Sequence, residues 1–141
     1  MKLVIDANRI MAALLKDGTS REIIIFSGIE FIAPEHAIEE IIRHKDFLLE
    51  RSGLAKENFE VLIQLILQYI FIVNEADIKN YTKAANEIMK DIDSGDAPFV
   101  ACALFAKADG IWSHDKHFDK QTAVKKFTNS DLVGFMKRFY P

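Results

Sequence analysis

The chain has one cysteine, one tryptophan, three prolines and six glycines in 141 residues. A single cysteine excludes an intrachain disulfide and any multi-cysteine zinc site. Cys102 lies in the apolar run FVACALFA, which reads as a buried structural thiol and not as a nucleophile. With so few prolines and glycines there is no linker-like stretch, and neither a low-complexity tract nor an internal repeat is found. Long apolar runs are missing too. MKLVIDAN is too short for a signal peptide and is cut by Asp6. Residues 61–73, VLIQLILQYIFIV, contain two glutamines and read as a helix followed by a strand, short of a membrane span. The expectation is a cytoplasmic protein with no membrane contact.

An excess of basic charge is also absent. The formal net charge of −3 carries no global signature of nucleic-acid binding. The distribution is uneven, because residues 1–112 hold 12 Lys and Arg against 18 Asp and Glu, whereas residues 113–141 hold 6 against 3. That basic tail reads first as a solvated C-terminal helix and second as a surface that touches phosphates. Half of the residues are hydrophobic, which supplies a core and argues against disorder. The length fits a single domain over residues 1–141.

Short apolar runs alternate with helical patterns. Strands are expected at 3–5, 31–32, 70–73, 111–112 and 127–128. Helices are expected over 8–16, 19–27, 35–51, 56–68, 77–90 and 97–106, with a last one from about residue 130. Thr19 and Glu22 match a capping box, with Thr19 as the cap. The stripe Ile38, Ile41, Ile42, Leu48 and Leu49 marks the buried side of the 35–51 helix. Strands alternating with helices imply parallel crossover units, hence an α/β layered fold. Ligands then bind beyond the C-terminal strand ends.

That edge gathers acids. Asp6 follows the first strand, Asp115 follows the fourth, and Asp96 opens the helix before the fourth. Glu39 and Glu40 lie early in the helix after the second strand. Each has an ordinary reading. Asp96 is a good helix cap with Pro98 in the first turn, Asp6 with Asn8 makes a polar turn, and the glutamates and Asp115 suit solvent. Together, carboxylates at one edge repel unless a cation sits among them, and Mg²⁺ or Mn²⁺ suits oxygen ligands.

The stretches VIDAN (4–8), APEHAIEE (33–40), DIDSGDAPFVACAL (91–104) and IWSHDKHFD (111–119) resemble the PIN-domain family of nucleases, in order and over essentially the whole chain. The resemblance implies a parallel sheet of order 3-2-1-4-5 and an acidic pocket of Asp6, Glu40, Asp96 and Asp115. It implies metal ligation by Asp6, Asp96 and Asp115, with Asp6 and Asp115 as the main ligands. Asn8 and Ser113 match the family's supporting polar positions, Ser113 standing where a threonine is common. Asp93 and Asp119 match acids that often lie nearby. Glu40 is preferred to Glu39, since Ala37 and Phe47 tilt the buried side toward it and its distance from Pro34 suits the family; Glu39 is the reserve. The implied activity is Mg²⁺- or Mn²⁺-dependent hydrolysis of RNA phosphodiesters, leaving a 5′-phosphate and a 3′-hydroxyl.

Arg9, Lys116, Lys120, Lys125 and Lys126 are candidate phosphate contacts, each equally suited to solvent. A toxin of the VapC type is the commonest small stand-alone member, which implies a small antitoxin partner and a homodimer; an RNA-processing nuclease is the rival. Two alternatives remain open. One is a catalytically silent PIN fold that binds RNA or protein. The other is a phospho-accepting receiver domain, which wants an aspartate after the third strand where this chain has Asn74, Glu75 and Asp77. His114 and His117 suggest a transition-metal site at first sight. No further His or Cys completes a zinc site, so they are expected to be solvated flanking residues.

Overall fold

The structure, a computed structural model, describes residues 1–139. Five strands, β1 (Lys2–Ile5), β2 (Glu30–Pro34), β3 (Ile70–Val73), β4 (Gly110–Trp112) and β5 (Lys126–Phe127), form one sheet of order β3-β2-β1-β4-β5, with every pairing parallel. Receiver-type sheets have the order 2-1-3-4-5, so that alternative is excluded. The central strand β1 is continuous buried Leu3, Val4 and Ile5 because helices cover both faces.

In the described residues eight α-helices connect the strands and a ninth follows β5: α1 (Ala7–Leu15), α2 (Thr19–Phe26), α3 (Glu35–Arg43), α4 (Lys45–Ser52), α5 (Lys56–Leu67), α6 (Glu75–Ile78), α7 (Thr82–Met89), α8 (Ala97–Ala106) and α9 (Asn129–Phe139). No helix there is long and apolar enough to cross a membrane. Helix α8 is buried along most of its length, with Phe99, Val100, Ala101, Cys102 and Ala103 all inside. Its alanines let it lie closely against β1, β2 and β4. Burial pushes the Cys102 thiol up to about 12, consistent with an inert packing residue.

Three local expectations are corrected. The 35–51 helix is two helices, broken at His44, whose φ of −101° and ψ of 9° leave the helical region. Its ring Nδ1 lies 2.8 Å from the Glu40 carbonyl, competing for the helical ladder. The break also turns Ile42 and Phe47 outward, so neither marks a buried side. The capping box is not formed: the helix starts one residue early, with Gly18 at the cap and Thr19 inside the first turn. The 77–90 helix likewise divides into α6, a 3₁₀ turn at Lys79–Tyr81, and α7.

Sheet order positions the site. The chain leaves β1 toward β2 on one side, then returns from β3 past β1 to β4 on the other. The crossovers diverge between β1 and β4, opening a crevice at their C-terminal ends. Closure of the far edge depends on Gly110, where an added Cβ would run into the Lys125 carbonyl and the Phe127 ring. Gly110→Ala is therefore expected to destabilise the fold by about 1–3 kcal/mol by forcing β4 from β5, as measured by urea unfolding. An unchanged urea midpoint would show that the β5 edge yields freely.

Candidate active site

Asp6 is the first residue past β1, and only 5 % of its surface is exposed. Its backbone N–H donates to the Trp112 carbonyl at 3.0 Å, carrying the β1–β4 ladder one step beyond the strands. Its carboxylate caps α1 through a long bond from the Asn8 N–H to Oδ1, 3.5 Å. The other oxygen, Oδ2, accepts the Ser113 hydroxyl at 2.6 Å. Ser113 is fully buried, and its Oγ in turn accepts the Asp115 N–H at 2.9 Å. Asp115 then caps a 3₁₀ turn over Lys116–Lys120 by accepting the His117 N–H at 2.9 Å.

The third wall is the start of α8. Asp93 Oδ1 accepts the Gly95 N–H at 2.9 Å, which shapes the turn. Asp96 stands at the N-cap of α8 but makes no capping hydrogen bond. Its Oδ2 instead lies 3.2 Å from His117 Nδ1. The same nitrogen is 3.2 Å from Asp93 and 3.2 Å from Asp115. The expectation of a solvated His117 is thus corrected: a 3₁₀ turn folds the ring back over the acids. His114 is engaged as well, its Nε2 accepting the Asn129 N–H at 3.2 Å, while burial and the Arg9 charge lower its pKa.

The electrostatics show a group short of positive charge. Burial raises the pKa of Asp6; the Ser113 and Asn8 hydrogen bonds oppose this, the Asp115 charge adds to it and Arg9 opposes it. Burial pushes Asp96 up to about 6, against the His117 hydrogen bond, with Asp93, Asp115 and Asp6 adding repulsion. The donor set is carboxylate oxygens with one imidazole, and Asp93, Asp96 and His117 each offer an atom within 4.8 Å of the others. Hard or borderline divalent cations suit such donors and supply the missing charge, so these residues fit a metal of the Mg²⁺ or Mn²⁺ class.

The other expected site residues make contacts of their own. Glu40 meets His36 Nε2 at 3.2 Å and Glu39 lies 3.7 Å from its Nδ1. Neither glutamate forms a hydrogen bond or ion pair with the aspartates. Glu39 is largely exposed and lines a separate cavity of about 130 Å³ with Pro34, His36, Glu75 and Pro98. Asp119 pairs with Lys126 Nζ at 2.9 Å. Lys125 lies over the Phe127 ring at 4.8 Å. Lys116 and Lys120 are exposed on the 3₁₀ turn. Arg9 is half-buried beside Asp6, with Nη1 donating to Ser20 at 3.4 Å and a buried Nε that has no partner. His36 and His117 are the residues that sequence reasoning missed; the one signal for His117 was the density of charge in IWSHDKHFDK.

The Asp96 shift has a testable sign. A carboxyl whose pKa is raised on folding binds more protons folded than unfolded, so its contribution to stability falls as pH rises from about 4 through about 6. In metal-free protein, Asp96→Asn is expected to match the wild type near pH 4 and to be about 1–2 kcal/mol more stable above pH 6. Thermal unfolding across that range with a chelator present checks it, and a difference independent of pH would contradict it.

Comparison with known proteins agrees with this geometry. No curated protein matches the sequence. A chain of the VapBC2 structure from Rickettsia felis, bound to a DNA fragment from their promoter, shares the fold with a TM-score of 0.66 at 12 % identity, over 91 % of this chain and 98 % of that one. The family model of the PIN domain matches residues 4–130. The chain, with its β3-β2-β1-β4-β5 sheet and aspartates at the β1–β4 crevice, belongs to the PIN-domain family.

Proposed function

We propose that this protein is a metal-dependent endoribonuclease that hydrolyses RNA phosphodiesters at the Asp6, Asp96 and Asp115 pocket, and that it is the toxin of a toxin–antitoxin pair. The observation that carries the reading is the convergence of these three carboxylates at the β1–β4 crevice, where Asp115 repels Asp6 and both repel Asp96, in a PIN domain. A Mg²⁺ or Mn²⁺ ion held there supplies an acidified water and stabilises charge on the leaving oxygen.

The chain's own residues orient the reaction. Ser113 occupies Asp6 Oδ2, leaving Oδ1, with only a 3.5 Å contact to the Asn8 N–H, as the freer ligand atom. The Ser113 link to the Asp115 N–H keeps the two acids in register across the strands. Arg9 sets a positive charge beside Asp6, where an incoming phosphate is drawn. Lys116 and Lys120, exposed on the turn that carries Asp115, extend that attraction along an RNA backbone. Glu40, steadied by His36, borders the site from α3.

Partners follow from the surface. A groove lined by Met11, Leu15, Phe47 and Leu48 opens beside Asn8 and Arg9 and suits an apolar segment of an antitoxin. Exposed Val61, Leu65 and Phe71, on α5 and the edge strand β3, suit a second copy of this chain. The shared fold with the VapBC2 chain supports the toxin reading over a free-standing processing nuclease. With no membrane-spanning helix among the described residues, the proposed place of action is the cytoplasm.

The double variant Asp6→Asn with Asp96→Asn is expected to reduce RNA cleavage in a Mn²⁺-supplemented assay by at least roughly a hundredfold. Undiminished cleavage by that variant would remove the pocket from the chemistry. Loss of cleavage by the wild type, together with no Mn²⁺ uptake by calorimetry, would favour the catalytically silent binding module.

A further inference from the structure

The imidazole of His117 lies within the carboxylate group. Its Nδ1 is 3.2 Å from Asp93 Oδ2, 3.2 Å from Asp96 Oδ2 and 3.2 Å from Asp115 Oδ1. One ring nitrogen carries at most one proton and can donate one full hydrogen bond. Three equal separations are better matched to donors grouped around a shared cation. Ligand bonds of roughly 2.1 Å set neighbouring donors of one ion roughly 3.0–3.4 Å apart.

For Asp93 and Asp96, the oxygens that face the ring are the ones left free by the backbone. Asp93 uses Oδ1 for the Gly95 N–H and turns Oδ2 to His117. Asp96 gives up its capping bond altogether. The ring is fixed from behind, since the His117 N–H is bound to Asp115 and the next residue, Phe118, is buried in the core. A side chain held in this way adds a nitrogen to an oxygen site at little entropic cost.

We propose that His117 Nδ1 joins Asp93 and Asp96 as a ligand of the divalent ion, making a mixed nitrogen–oxygen site that prefers Mn²⁺ to Mg²⁺. The proposal rests on the metal-dependent reading above and adds the nitrogen donor. Mg²⁺ favours oxygen and keeps its waters, whereas later first-row ions gain from imidazole.

Pulsed electron paramagnetic resonance of the Mn²⁺-loaded protein tests it. A ¹⁴N coupling to Mn²⁺ is expected in the wild type, altered by ¹⁵N-labelled histidine, lost in His117→Ala and kept in His114→Ala. By calorimetry, His117→Ala is expected to weaken Mn²⁺ binding about tenfold while changing Mg²⁺ binding less than about twofold. The absence of nitrogen coupling in the wild type overturns the proposal and needs no variant to fold. Equal losses for both ions in a folded His117→Ala also overturn it. Mg²⁺-supported RNA cleavage without nitrogen coupling would leave the nuclease reading intact and remove this one. Nitrogen coupling in a protein that cleaves no RNA would do the reverse.

Discussion

The hydrogen bond from Ser113 Oγ to Asp6 Oδ2 spans the seam between β1 and β4, and most of the site is arranged around it. Asp6 must be buried to face the crevice, and a buried carboxylate without donors is costly. Ser113 supplies the short donor, and its lone pair then fixes the Asp115 backbone. One hydroxyl therefore sets the end of β1, the direction of the chain leaving β4 and the separation of two acids. An apolar residue of similar size would break all three at once, whereas threonine would keep them, which gives a physical reason for a hydroxyl at this position.

Much of the fold was legible in the sequence because its signals are local. The strands are short apolar runs that end in polar residues, and helices cover both faces, so alternation is enough to call for a parallel sheet. The positions of Asp6 and Asp115 just past strand ends put both at the C-terminal edge of the sheet. The order 3-2-1-4-5 came through the resemblance and not through periodicity. The helix break at His44 was illegible because the stripe from Ile38 to Leu49 stays in phase across it, and only the backbone of His44 leaves the helical region.

The site was less legible where turns decide direction. Asp115, His117 and Asp119 are two residues apart, and spacing alone offers no reason to separate them. The 3₁₀ turn separates them, sending His117 back over the acids and Asp119 out to Lys126. His114 and His117 suggested a shared metal site at first sight, yet one binds the start of α9 and the other binds Asp96. Glu39 and Glu40 are divided by burial, Glu40 being the less exposed, while His36, one turn earlier, reaches both.

Asp96 shows which forces win at this edge. It sits at the N-terminus of α8, where the helix dipole favours a negative charge by about 0.3–1 kcal/mol. A rise to about 6 opposes that by at most about 3 kcal/mol. Burial and three neighbouring acids therefore outweigh the helix end, and the group is held in a state that folding alone would not choose. The surrounding packing of α8 against β1, β2 and β4 tolerates that cost. Such tolerance accords with the proposed divalent cation, which would reverse the sign of the local field.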